Sequence, residues 1–208
     1  VDYLLIGRSQ ATNKSVTLEY ELFDVHRQKS LIKSRVGNRQ GAERAVAHKV
    51  SDSVYERLTG IAGAFSTRML YVSVKTFPAK NQNTPKQMYQ LILADADGAR
   101  AREILKGSEP ILSPSWSPDG KQIAYVSFES SRPAIYRQVI ATGEREKLTN
   151  FRGLNSAPSW SPDGKRLAMV LSKDENPELY VMEVATRKIQ HITKNSAIDT
   201  EPSWMPDG

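Results

Sequence analysis

Pro114-Ser115-Trp116-Ser117-Pro118-Asp119-Gly120 is the stretch on which the reading of this chain turns. It returns as Pro158-Ser159-Trp160-Ser161-Pro162-Asp163-Gly164 and again as Pro202-Ser203-Trp204-Met205-Pro206-Asp207-Gly208. Trp116, Trp160 and Trp204 follow one another at a constant spacing of 44 residues. A fixed period in the forties, with strand-like sequence between the returns, is the signature of β-propeller blades, each a four-stranded antiparallel sheet. Within one repeat, Trp116 closes a short first strand and Ser117-Pro118-Asp119-Gly120 makes a tight hairpin turn. Proline presets the first central position of that turn and glycine takes the left-handed position that follows. Residues 123–128 and 134–140 read as the next two strands, and Ala141-Thr142-Gly143-Glu144 turns the chain into Lys147-Leu148-Thr149. The next repeat answers position by position, Tyr136 with Tyr180, Ala141-Thr142 with Ala185-Thr186, and Leu148-Thr149 with Ile192-Thr193.

A degenerate copy precedes these two. Met69-Leu70-Tyr71-Val72-Ser73 matches Ile123-Ala124-Tyr125-Val126-Ser127, and Met88-Tyr89-Gln90 opens a strand that turns at Asp97-Gly98. The polar stretch 75–86, carrying Pro78 and Pro85, reads as an inserted loop. Repeats are therefore expected near 65–113, 114–157 and 158–201, with the start of another at 202. Each blade covers its neighbour's apolar face, and closed propellers hold at least four. About three blades, an abrupt start on Tyr3-Leu4-Leu5-Ile6 and an end inside a fresh repeat lead us to expect a piece of a longer protein.

The first sixty residues follow other periods. Residues 3–7 read as a short buried strand. From Ser15 to Val25 the apolar Val16, Leu18, Tyr20 and Leu22 alternate with Thr17, Glu19 and Glu21, the pattern of a half-buried strand. A third strand is expected over 30–36. Ala42, Val46, Val50, Val54 and Leu58 recur every fourth residue, predicting a helix with Arg44, Lys49, Asp52 and Arg57 on its far side, Asn38 as N-cap and Gly60 as the left-handed C′ residue. The fold class expected is thus mainly β, propeller blades preceded by a partial α/β domain. The boundary is placed in Gly60-Ile61-Ala62-Gly63-Ala64, giving a C-terminal part of a small α/β domain over 1–62 and first propeller blades over 63–208.

Composition narrows the function classes. The 208 residues carry 29 basic and 23 acidic side chains, a net charge of +6, but the signs are interleaved, as in Arg100-Ala101-Arg102-Glu103. No basic stripe with stacking aromatics appears, so nucleic acid is not expected as a partner. Cysteine is absent, which excludes disulfides and thiolate metal sites. No apolar run approaches the roughly 20 residues of a membrane-spanning helix, and no leader opens the chain, so direct membrane insertion is not expected.

Catalytic motifs are not visible either. His26, His48 and His191 stand far apart and none has metal spacing with another. There is no Gly-x-Ser-x-Gly elbow and no phosphate-cradling glycine loop, and Ser66, Ser113 and Ser159 have no visible base. Asp119, Asp163 and Asp207 recur with the turn, which assigns them to its structure rather than to calcium. Trp116, Trp160 and Trp204 recur at the join of two strands, which assigns them to the core between blades. No enzyme, cofactor or metal is therefore expected.

What remains is surface. Loops from the outermost strand of one blade to the innermost strand of the next line one mouth of a propeller's channel, and variable loops on a repeated scaffold are where such folds bind. Here they span 107–113, 150–157 and 194–201. The candidate contacts are the last residues before each Pro-Ser-Trp: Ser113; Leu154, Asn155 and Ala157; Asp199, Thr200 and Glu201.

Phe23-Asp24-Val25, the helix end Tyr55-Glu56-Arg57-Leu58-Thr59-Gly60, the junction Gly63-Ala64-Phe65-Ser66-Thr67-Arg68 and the Trp-Ser-Pro-Asp-Gly repeats together resemble the TolB family of the Gram-negative Tol-Pal system. The resemblance runs through essentially the whole chain. The repeat alone is shared with the propellers of prolyl oligopeptidase-like enzymes, whereas the junction beside an α/β domain is more specific. The resemblance implies an N-terminal α/β domain followed by a six-bladed propeller, a periplasmic location, and a non-enzymatic interaction module. It implies binding of the peptidoglycan-associated lipoprotein Pal at the channel mouth, of TolA through an extended N-terminal segment, and of bacteriocin translocation domains that imitate Pal. It further implies a part in outer-membrane integrity and in constriction at cell division. The Pal-binding loops would be those ending in Leu154-Asn155-Ser156-Ala157 and in Asp199-Thr200-Glu201; family members often carry histidine where this chain has Leu154. The rival reading is a substrate-gating propeller of a serine peptidase whose catalytic domain lies outside this chain, and a glycan-binding propeller ranks behind it because Phe151 is the only aromatic in the candidate loops.

Overall fold

A computed structural model describes residues 1–78 and 85–208, which divide into two compact units, Val1–Met69 with Ala94–Ala101, and Leu70–Leu93 with Arg102–Gly208. In the first unit, strands β1 (Tyr3–Ala11), β2 (Ser15–Asp24) and β3 (Lys29–Arg39) form an antiparallel sheet in that order. Helix α1 (Glu43–Thr59) packs on β2 and β3. The alternation in β2 is realised, with Val16, Tyr20 and Leu22 buried beneath Val46 and Val50 of the helix.

Two local expectations fail for physical reasons. The opening strand is longer than 3–7 and exposed along its length, because it pairs only with β2 at the sheet edge and α1 does not reach it. Asn38 is not the N-cap: it pairs with Val16 inside β3, and Ala42 takes the cap position without a side-chain bond. At the other end Gly60 adopts φ 75° and its N–H closes on Glu56 O at 2.8 Å, the left-handed stop that the sequence predicts. Asp52 also leaves the role of a solvent-facing residue. Its carboxylate accepts the N–H groups of Phe65 and Ser66 at 2.7 and 3.1 Å, which fastens the junction to the helix. A Cβ on Gly63 would come within 2.5 Å of Asp52, so this close approach requires glycine.

The second unit contains three sheets of one pattern. Strands β4 (Arg68–Phe77), β5 (Lys86–Asp95) and β6 (Arg102–Gly107) make a three-stranded sheet whose first two strands each run from one unit into the other. Strands β7 (Ile111–Trp116), β8 (Gln122–Ser127), β9 (Ala134–Val139) and β10 (Arg145–Lys147) make a four-stranded antiparallel meander. Strands β11 (Asn155–Trp160), β12 (Arg166–Leu171), β13 (Glu178–Glu183) and β14 (Ile189–His191) repeat it. These are the antiparallel blades of a partial propeller. Of the loop expected at 75–86, Lys75 and Phe77 belong to β4, while residues 79–84 lie outside the described residues. The last strand of each blade is shorter than expected: Leu148 and Thr149 lie beyond β10, where the Thr149 hydroxyl accepts the Ile135 N–H at 3.0 Å.

The cores lie between consecutive sheets. Leu91, Ile111, Ile123, Tyr125, Ala134 and Tyr136 fill the first, with half-buried Trp116 against them. Ala124, Val126, Ile135 and Leu148 meet Trp160, Leu167, Met169, Leu171, Tyr180 and Met182 in the second. Trp204 extends the series, its Nε1–H donating to Ser159 O at 2.9 Å and its ring lying 4.7 Å beneath the Arg166 guanidinium.

The repeated turn has a repeated clasp. Ser117 Oγ donates to Asp119 Oδ1 at 2.6 Å and accepts the Gln122 N–H at 2.9 Å, while Lys121 N–H donates to the same carboxylate at 3.0 Å. Ser161, Asp163, Lys165 and Arg166 reproduce these bonds. The serine hydroxyl, followed by the lysine amide, holds both aspartates below the usual carboxylate range.

Candidate functional site

Three left-handed residues recur at the repeat spacing immediately before proline: Ser113 at φ 48°, Ala157 at 47° and Glu201 at 54°. In β7 the register passes from Leu112 opposite Val126 to Ser115 opposite Ala124, so Ser113 and Pro114 together face Tyr125. Ala157 and Pro158 likewise face Met169. Each is a β-bulge, in which two residues oppose one and the strand bends. The ordinary bulge holds its first residue near the right-handed helical region, a region closed to a residue that precedes proline. The left-handed well is what remains. β7 and β11 are edge strands of their sheets, where proline is tolerated, so the proline alone did not signal the bend.

The bulges set how the candidate residues are presented. Ser113 is exposed at the end of the first loop, and β11 packs beside β7, so the loops ahead of these two strands end on neighbouring strands. In the second loop Leu154 is half-buried, its N–H donating to Ser172 Oγ at 2.7 Å. Asn155 and Ala157, the other candidate contacts of this loop, are buried. Asn155 braces the loop from within: its Nδ2 donates to Phe151 O at 2.8 Å and Gly153 O at 3.2 Å, and its Oδ1 accepts the Phe151 N–H at 3.2 Å. In the third loop Thr200 and Glu201 are exposed, while Asp199 is half-buried and accepts Asn195 Nδ2–H at 2.8 Å. The exposed set is thus Ser113, Thr200 and Glu201, with Leu154 and Asp199 at its margin.

Beside the third loop stands a cluster of polar groups that the sequence reading left unassigned. Glu178, at the start of β13 and nearly inaccessible, contacts His191 Nε2 and accepts the Asn195 N–H at 2.7 Å. The His191 ring stacks on Tyr180 at 4.2 Å, and Tyr180 Oη–H donates to Asp174 at 2.8 Å. Burial first, then the Asp174 carboxylate, pushes the Tyr180 hydroxyl up. The signal was present as a departure from the repeat, since Glu178 and His191 occupy the positions held earlier by Ala134 and Lys147.

Other hollows offer less. A cleft of about 330 Å³ beside the first loop is lined by Gly107, Glu109, Ser127 and Glu129, and Glu129 is bound to Arg145 at 2.7 Å. In the first unit a hollow of about 590 Å³ is the open face of its sheet, crossed by cross-strand pairs such as Arg35 with Glu19 at 3.6 Å. Among the described residues no group of His, Cys, Asp and Glu is arranged to hold a metal ion, and no helix is long and apolar enough to cross a membrane.

Comparison with known proteins adds a family context. The family model described as the TolB beta propeller domain matches residues 55–208. The Tol-Pal system protein TolB of Hahella chejuensis is 50% identical over 157 residues, which cover 74% of this chain and 35% of that protein. Its counterpart in Acinetobacter baylyi is 46% identical over 158 residues, 76% of this chain and 36% of that protein. The crystal structure of TolB from Acinetobacter baumannii superimposes with a TM-score of 0.89 at 43% identity, covering all of this chain and 51% of that one. The chain spans about a third of the length of these curated relatives.

Proposed function

The chain belongs to the TolB β-propeller family, and on that premise we propose that it serves the Tol-Pal system as a non-enzymatic interaction module that binds Pal at the propeller mouth. The observation that carries this reading is the series of loops that end in a left-handed residue ahead of Pro-Ser-Trp, which presents Ser113, Leu154, Asp199, Thr200 and Glu201 on one repeated scaffold. A protein surface is the ligand that suits such a site. The contacts are scattered short side chains and loop backbone, with no enclosed cavity among them and no group poised for proton transfer. Asn155 and Ala157 act by shaping the middle loop.

Pal is an outer-membrane lipoprotein, so the proposal places the protein in the periplasm and gives it a part in outer-membrane integrity and division. TolA and bacteriocin domains are proposed as further partners. The first unit is proposed as the C-terminal part of an α/β domain, and its match over the full chain to a solved TolB supports this reading above a peptidase-linked propeller.

Calorimetric titration of the full-length protein with the soluble domain of Pal tests the proposal. The wild type is expected to bind, and a variant carrying Leu154→Glu and Thr200→Arg, folded by circular dichroism, is expected to lose at least about tenfold in affinity. Equal affinity of the two proteins would remove the mouth as the site, and no binding by the wild type would remove Pal as the partner.

A further inference from the structure

The third mouth loop is held differently from the second. In the second, the brace is internal, with Asn155 bonded to Phe151 and Gly153. In the third, the same two positions are Asp199 and Asn195, and the loop is tied to β13 and to the hairpin before it. Asn195 N–H reaches the buried Glu178 carboxylate, Asn176 Nδ2 donates to Asn195 O at 3.1 Å and to Ala197 O, and Asp199 N–H donates to Pro177 O at 3.0 Å. Asn195 passes the restraint onward, accepting the Ala197 N–H at 2.7 Å and donating to Asp199 at 2.8 Å, one residue before Thr200.

We propose that Glu178 and His191 are positioning residues for the mouth loop 194–201, and that protonation of His191 sets how firmly the loop is held for a protein partner. The regulatory half of this proposal rests on the partner reading above. Glu178 has one oxygen toward Asn195 and the other toward His191. With an imidazolium opposite, the buried carboxylate has both a counter-charge and filled acceptors. With a neutral imidazole, the charge keeps only hydrogen bonds, and an uncompensated buried charge is strongly destabilising. The carboxylate relieves that cost by turning to solvent, which weakens its grip on Asn195.

The surroundings define which charges contribute. From β13, His191 faces Glu178 and Tyr180; from the preceding hairpin, Asp174 acts on it through the Tyr180 hydroxyl side, and Lys173 Nζ lies 4.8 Å over the Tyr180 ring. Glu178 and Asp174 are the acidic groups on this side of the ring, and Lys173 is the basic one. The scaffold itself does not require this arrangement. In the preceding blade the equivalent residues are Ala134 and Lys147, and Lys147 Nζ instead donates to Ser130 Oγ at 3.0 Å while lying 5.5 Å over Tyr136. The pair is an addition specific to the blade whose loop carries Asp199, Thr200 and Glu201.

Two measurements on the full-length protein decide the matter: Pal affinity by calorimetry at about pH 5.5 and about pH 8, and hydrogen exchange of the 194–201 amides in the free protein, corrected for intrinsic rates. The range brackets the ordinary titration of histidine. The wild type is expected to bind about fivefold more tightly at the lower pH, the small end of a site-to-site coupling, and to protect the loop more there. His191→Lys, which installs the preceding blade's permanent cation, is expected to bind tightly at both pH values, and Glu178→Gln, which keeps an acceptor for Asn195, to lose the pH dependence. Glu178→Ala should expose the loop to fast exchange throughout. Flat affinity and flat exchange in the wild type, or a pH dependence that survives in His191→Lys, overturns the proposal. Should the wild type bind no Pal at either pH, the partner reading fails, and the exchange data alone uphold or overturn the positioning of the loop.

Discussion

Ser161→Ala removes a hydroxyl that closes the repeated turn, and its consequences can be worked from the bonds lost. Ser161 is inaccessible to solvent; its Oγ accepts the Arg166 N–H at 2.9 Å and donates to Asp163 at 2.5 Å. Alanine leaves the Arg166 N–H without that acceptor, a cost of about 1–3 kcal/mol for a buried donor. The bond to Asp163 adds little, because an exposed carboxylate regains water when released. The expected loss is about 2 kcal/mol, read by urea unfolding of the full-length protein near pH 7. The pH dependence supplies a second, independent check. Ser161 and then the Lys165 amide lower the folded value of Asp163 below its unfolded one, so this contribution is complete above the unfolded pKa and disappears as pH falls through the folded value. The gap between wild type and variant should therefore narrow on acidification from neutral pH to below about pH 4, the ordinary aspartate value. A loss under about 0.5 kcal/mol near neutral pH, or a gap that widens in acid, would refute the clasp as the source of the turn's stability.

Other substitutions test other links. Leu167→Ala, in the core between the second and third sheets and fully buried, should cost about 2–5 kcal/mol by chemical denaturation, with exposed Leu112→Ala as a small-effect control. Gly60→Ala meets no atom within 4 Å of the new methyl, so its cost at φ 75° is conformational and should be about 1 kcal/mol in thermal unfolding. Ser113→Val should destabilise by about 1–2 kcal/mol because it forces a β-branched side chain into the left-handed region, whereas Ser113→Gly should stay within about 0.5 kcal/mol of wild type as relief of strain offsets chain entropy.

The blades were legible because their signals are local. A proline and a glycine fix a turn, and alternating apolar residues fix a half-buried strand, whatever surrounds them. That is why strands β7 to β9 and β11 to β13 fall close to their expected places. The exposure of β1 was not legible, because Tyr3-Leu4-Leu5-Ile6 reports a preference for burial and not whether a second layer covers it. Asn38 misled for a related reason: asparagine caps helices well, but here it is taken up by pairing with Val16 first. In the loops, position in the repeat did not show which side chains brace the backbone and which face solvent. Asn155 reads as an exposed polar loop residue until its amide is seen bonded to Phe151 and Gly153.

The distinction between scaffold and site can nonetheless be drawn from how the repeats diverge. Ser, Pro, Asp and Gly recur in the turns because each makes a bond or adopts a conformation that few other residues can supply. At the bulge only the proline recurs: Ser113, Ala157 and Glu201 differ in every chemical respect and share one backbone conformation. None is glycine, and each stands before a proline, with a register change as well at Ser113 and Ala157; the left-handed geometry costs about 1–2 kcal/mol for each residue held there. A strain repeated in successive blades and independent of side chain is a property of the scaffold. The side chain it carries is then free to vary, and that freedom is what allows one loop end to present a hydroxyl, the next to bury a methyl, and the third to expose a carboxylate.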